Sequence, residues 1–137
     1  MLKEIFKGLE ELVRDKIPTV KVGRYKGEFE EGADWNPAFP AVLIRVNSLL
    51  PTERNMSGQV ISYSAEFTLY IADRDMNQPS GLDTIEAVIN TIEDNSITND
   101  DYGTEYDMKV GDDGMKFLGY GNQVEVYILN VNVQCSM

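Results

Sequence analysis

The sequence predicts an α+β fold: a mostly antiparallel sheet of four to five strands with two helices packed on one face. Three observations carry this. Two stretches repeat apolar residues at helical steps, several others alternate with period two, and the order is helix, three strands, helix, two strands. Helices grouped in this way, rather than alternating strictly with strands, indicate α+β. The 137 residues fit a single domain, 1–137, and 42% hydrophobic with 26% charged residues is an ordinary globular composition.

Leu2, Ile5, Phe6, Leu9, Leu12 and Val13 recur at steps of three and four, which predicts an amphipathic helix over 2–16. Pro18 ends it, because proline disfavours the helical region for the residue before it. A short strand follows over 19–25. Residues 27–40 carry no period and are broken by Gly27, Gly32, Pro37 and Pro40. They read as a long loop holding Phe29, Trp35 and Phe39, either folded back over the core or serving as aromatic anchors for a partner.

The second strand covers 41–50 and is expected to stop at Pro51. The third has the clearest alternation in the chain. Ile61, Tyr63, Ala65, Phe67, Leu69 and Ile71 share one face, with Ser62, Ser64, Glu66 and Thr68 opposite, as in a sheet buried on one side. Ser80 precedes Asp83 by three residues, close to a capping box, and opens a second helix over 81–94. Residues 95–107 are a polar, acidic connection. A weak strand over 108–118 is interrupted by the turn Gly111-Asp112-Asp113-Gly114, and Gly119-Tyr120-Gly121 reads as a turn. In the last strand, 122–134, the apolar parity switches from Val124, Val126 and Ile128 to Leu129, Val131 and Val133. Either a β-bulge near 128–130 or burial on both faces accounts for this.

No catalytic, cofactor or metal residue is expected. The chain has no histidine, so Ser-His-Asp and Cys-His nucleophile systems and imidazole-based zinc sites are excluded. Cys135 is the only cysteine, which excludes an internal disulfide. The adjacent carboxylate pairs, such as Glu93-Asp94 and Asp112-Asp113, read as solvated surface; where the chain is extended, such neighbours point to opposite faces. The stretch 94–99 lacks the glycine of an EF-hand loop; a loose oxygen-ligand site around Asp100, Asp101 and Glu105 is the remaining cation candidate. The amino-terminal residues have no apolar signal segment, and no run approaches the length of a membrane span, so a cytoplasmic protein is expected.

Charge is unevenly placed. The net charge is −11, which disfavours phosphate binding through counterion release. Residues 1–26 hold seven basic and four acidic residues, net +3; residues 27–137 hold five and nineteen, net −14. Such a chain is either coated with a solubilising surface or self-complementary, with a basic edge meeting the acidic edge of a neighbour.

Tyr25-Lys26-Gly27-Glu28-Phe29, Phe39-Pro40-Ala41-Val42-Leu43-Ile44 and Gly81-Leu82-Asp83-Thr84-Ile85, taken with the element order, resemble the tail terminator family of Mu-like bacteriophages. The likeness is a pattern over roughly residues 2–133, and the 27–40 loop and the segment from Asp100 to Asp113 depart from it. The resemblance implies a non-enzymatic structural protein that caps the tail tube as a hexameric ring, ends tube polymerisation and presents the head-joining surface. Implied partners are further copies of the chain, the tail tube protein and a head-completion or neck protein, with no sequence-specific nucleic acid binding. It implies residence in the bacterial host cytoplasm and then in the virion tail. Candidate interface residues are Phe29, Trp35, Phe39, Arg54, Tyr102 and Tyr106. The competing readings are another neck or minor tail component, and an acidic DNA mimic that inhibits a nuclease.

Overall fold

The computed structural model describes residues 2–27, 39–74, 79–99, 104–121 and 124–136. The fold is α+β, with two helices and a six-stranded, curled, mixed sheet. The elements are α1 (Leu2–Lys16), β1 (Lys21–Arg24), β2 (Ala41–Arg54), β3 (Val60–Asp73), α2 (Pro79–Asp94), β4 (Ser96–Asn99), β5 (Thr104–Gly121) and β6 (Val124–Ser136). The sheet order is β1-β2-β3-β6-β5-β4. The β1–β2 pairing is parallel and the other pairings are antiparallel.

Both helices pack on one face. Ile5, Phe6, Leu9 and Val13 of α1 and Ile85, Val88 and Ile92 of α2 share a core with Val42, Ile44, Phe67, Leu69, Leu129, Val131 and Val133. The sheet curls around α1. The Arg24 guanidinium of β1 lies 5.1 Å from the Phe6 ring, while Gly8 lies against Ile97 of β4. Gly8 is dictated by that approach: a Cβ there would stand 2.5 Å from Ile97 Cγ2, inside any ordinary contact distance.

The sheet has one strand more than the four to five expected. β4 lies in the stretch expected to be a polar connection, because Ser96-Ile97-Thr98-Asn99 holds a single apolar residue, Ile97, too little for a periodic signal. β2 does not stop at Pro51 but runs to Arg54; the ladder to β3 shifts register between Pro51 and Glu53, and a bulge is where a strand accommodates proline. β5 runs through the expected 111–114 turn, which forms an excursion: Val110 pairs with Val131 and Met115 with Leu129. Gly119 and Gly121 are strand residues paired with Val126 and Val124, so the turn expected at 119–121 is corrected; paired backbone continues past both glycines. α2 begins at Pro79, ahead of the Ser80 cap expected from sequence, consistent with the tolerance of a first helical turn for proline.

The parity switch in β6 has a clear cause. Its register with β3 is unbroken from Ser62↔Ser136 to Asp73↔Glu125, so no bulge interrupts that ladder. β6 is central, and its two faces are buried by different partners. Leu129, Val131, Val133 and Cys135 join the helix-side core; Val126 joins a second cluster on the outer face with Leu43, Tyr70 and Ala72. Tyr25, Phe39, Val124 and Ile128 pack against that second cluster.

Candidate functional site

The outer face of the sheet divides along the strands. At one end lies the second apolar cluster, where Tyr25 stacks on Tyr70 with ring centroids 3.9 Å apart and planes 9° from parallel. At the other end a polar row crosses three strands. A register shift between Val46 and Ser48 brings Asn47 into the row, where its amide donates to Thr68 Oγ1 and, at 3.3 Å, to Glu66 Oε1. The Thr68 hydroxyl donates to Asn130 Oδ1 at 2.8 Å. Further along, the Gln134 amide donates to Ser62 Oγ at 2.7 Å and to Thr52 Oγ1 at 3.2 Å. The row ties β2, β3 and β6 together and satisfies Ser62 and Thr68, both buried hydroxyls that would be costly without partners.

The flanks carry the charge. The four basic and four acidic residues of α1 cancel, so the excess of +3 in residues 1–26 comes from Lys21, Arg24 and Lys26, on or just after β1. Arg45 and Arg54 extend it along β2, where both are exposed. On the opposite flank α2 presents Asp83, Glu86, Glu93 and Asp94, and β5 presents Asp107, Asp112 and Asp113, all exposed, against Lys109 and Lys116. Lys116 and Asp113 form a loose pair at 3.9 Å. Glu93 Oε1 also accepts from the Val110 amide at 3.1 Å, where the ladder to β6 breaks.

Among the interface candidates, Phe39 is half-buried on the outer apolar cluster, with the Arg74 guanidinium 5.9 Å from its ring. Arg54 is exposed at the end of β2 and donates to the Gly58 carbonyl at 2.9 Å, closing the β2–β3 hairpin. The Asn55 side-chain oxygen accepts from the amides of Ser57 and Gln59, and Gly58 supplies the positive φ of 84° that the turn requires. This fixed turn holds Met56 out in solvent. Tyr106 is buried at 6% exposure on the helix side beside Ile97 and Met108, so its ring supports the core. Phe29, Trp35 and Tyr102 lie outside the described residues, as do Asp100, Asp101 and the Glu105 side chain of the loose cation site. The structure brings Phe39 to the apolar cluster and Arg54 to the hairpin tip, at opposite ends of the sheet.

Among the described residues no three histidine, cysteine or carboxylate side chains converge as a metal site. No described helix is long and apolar enough to cross a membrane. Cys135 is fully buried, and desolvation raises its thiol pKa, which lowers its nucleophilicity at neutral pH.

Sequence reasoning about single residues did not place Arg45 and the Asp112-Asp113 excursion at one level of the sheet, on opposite flanks. The segregation of charge pointed to their regions, but only the strand register shows that they lie at one level of the sheet. No protein-family model matches the chain, and no curated protein matches it. Among solved structures, one protein without a functional name matches over 99% of this chain and 95% of its own, at 14% identity and a TM-score of 0.51. That likeness extends nearly end to end and shows the fold alone.

Proposed function

We propose that this chain is a structural phage-type tail protein that caps the tail tube as a hexameric ring, stops tube polymerisation and presents a surface to a head-completion or neck protein. The reading rests on the resemblance of Tyr25–Phe29 and Phe39–Ile44 to the Mu-like tail terminator pattern. One structural observation supports it. Described residues of the two segments converge: Tyr25 stacks on Tyr70, and Phe39 and Leu43 join the same outer cluster. Tyr25, Phe39 and Leu43 therefore belong to one feature at one end of the sheet, whereas Val42 and Ile44 face the helix-side core.

In this role the protein holds rather than reacts. Capping requires one surface that fits the tube protein and another that refuses further tube subunits. The two ends of the outer face differ in this way, one apolar and one polar. The protein acts first in the bacterial host cytoplasm and then as part of the virion tail, and catalysis plays no part. The test is tube assembly from purified tube protein, with and without this chain, followed by negative-stain microscopy. Tubes of limited length with a ring on one end are the expected result. Tubes that lengthen unchanged, with no ring on either end, contradict the proposal.

A further inference from the structure

The fold converts a charge imbalance along the sequence into a charge polarity across the molecule. β1 and β2 form one flank of the sheet and β5 and β4 the other, with α1 between them on the helix side. Lys21, Arg24, Arg45 and Arg54, against Glu53, mark the first flank; Asp107, Asp112 and Asp113, with Glu93 and Asp94 of α2 and against Lys109 and Lys116, mark the second.

The register adds a geometric relation. β1 covers β2 only over Ala41–Ile44, so Arg45 is the first residue of β2 beyond that cover, and it is exposed. β4 covers β5 only over Thr104–Asp107, and the excursion of Gly111–Gly114 stands beyond it. Arg45 pairs with Thr68, Thr68 with Asn130, and a Cβ on Gly111 would lie 3.3 Å from the Asn130 Cβ. Arg45 and the Asp112-Asp113 excursion therefore stand at the same level along the strands, on opposite flanks. A rotation about an axis along the strands keeps that level. It allows Arg45 of one copy to meet Asp112 and Asp113 of the next, and repetition of one such heterologous contact makes a ring where the rotation closes.

Apolar surface accompanies the charges. Leu50 is 59% exposed on β2, and Phe117 and Leu118 are 55% and 47% exposed on β5. They stand at different levels, Leu50 in line with Ser64, Gln134 and Asp107, and Phe117 in line with Tyr127, Ile71 and Val42, so a rotation that keeps the level does not bring them together and the contact rests on the charges.

We infer that the β1–β2 flank of one copy docks on the β5–α2 flank of a second copy, with Arg45 against Asp112 and Asp113. The inference rests on the ring reading above and names the contact that builds the ring. It is tested in solution without tail tubes, by sedimentation velocity of the full chain and of two single variants, Arg45→Glu and Asp113→Lys. Circular dichroism confirms that each variant folds, as expected for exposed sites. The unsubstituted chain should associate at up to about 1 mM, a range that registers even a millimolar contact. That association should weaken between about 0.1 M and about 1 M salt, as the screening length falls from about 10 Å to about 3 Å. Each variant alone should associate roughly tenfold more weakly, because a like-charge pair replaces an attractive one.

An equimolar mixture of the two variants should recover association. In an alternating assembly Glu at 45 meets Lys at 113, and the other contact keeps Arg45 against Asp113. Variants that associate like the parent, a mixture no better than either variant alone, or a parent that stays monomeric would each overturn the inference. Tube capping is scored separately. Capped tubes with unaffected variants would reject this contact and keep the tail reading, whereas restored association with no capping would do the reverse.

Discussion

The two faces of the sheet are built by different physics, and the contrast shows where this molecule can meet partners. The helix face is apolar across β2, β3 and β6, and α1 and α2 close it, so Phe67, Leu69, Ile44 and Leu129 are fully buried. Its stability comes from area removed from water, about 1.5–3 kcal/mol for each fully buried large side chain. The outer face is apolar only at one end and elsewhere relies on the Asn47–Thr68–Asn130 and Thr52–Gln134–Ser62 hydrogen bonds. Each such bond contributes about 1 kcal/mol net, because water competes for the same groups. The inner face therefore holds the fold, and the outer surface and flanks are left to make contacts.

The largest expected effect comes from emptying the inner face. Phe67→Ala should cost about 3–5 kcal/mol in urea unfolding, since the ring is fully buried and packs on Phe6 at 6.2 Å. A loss below about 1 kcal/mol would mean that this face is far less tightly packed than described. Next comes Gly8→Ala. In an exposed helix this change gains about 1 kcal/mol from propensity. Here the new methyl meets Ile97, and a net loss of about 1–2 kcal/mol is expected from overpacking. A stabilised variant would show that α1 is free to move away from β4.

On the outer face, Thr68→Val should cost only about 1 kcal/mol, because Asn47 is exposed and its amide can turn to water. A cost near that of Phe67→Ala would erase the contrast between the faces. The smallest effect needs no substitution. Burial raises the Cys135 pKa, so the thiolate fraction at pH 8 is lower in the folded chain than in the unfolded one, and the two approach each other only as pH rises through the folded value. Iodoacetamide should label the denatured protein readily at pH 8 and the native protein slowly. Equal rates would place the thiol at the surface.

Much of the inner face was legible in the sequence. The α1 periodicity from Leu2 to Val13 and the β3 alternation from Ile61 to Ile71 report burial on one side, and both elements lie where that pattern puts them. β4 was not legible, because a four-residue edge strand with one apolar residue has no period to detect. The full extent of β5 was hidden by Gly111, Gly114, Gly119 and Gly121, which mimic turns, although cross-strand pairing to β6 carries the strand past the excursion. The parity switch in β6 could be seen but not resolved, since a bulge and two-sided burial leave the same trace, and strand order decides between them. Of the candidate site, Arg54 and Phe39 were readable as residue types in loops. The shared level of Arg45 and Asp112-Asp113 was not, because it depends on three pairings between strands distant in sequence.

The central claim is that the two flanks are the surfaces on which copies meet. Amide hydrogen exchange read by mass spectrometry, comparing the associated chain with the Arg45→Glu variant, tests it most directly. Association through the flanks predicts slower exchange in the part of β2 beyond its pairing with β1, residues 45–54, and in β5 from 108 to 121, with the β3 and β6 interior unchanged. Protection confined to α1 or to the polar row of the outer face, with both flanks exchanging as in the monomer, would contradict it.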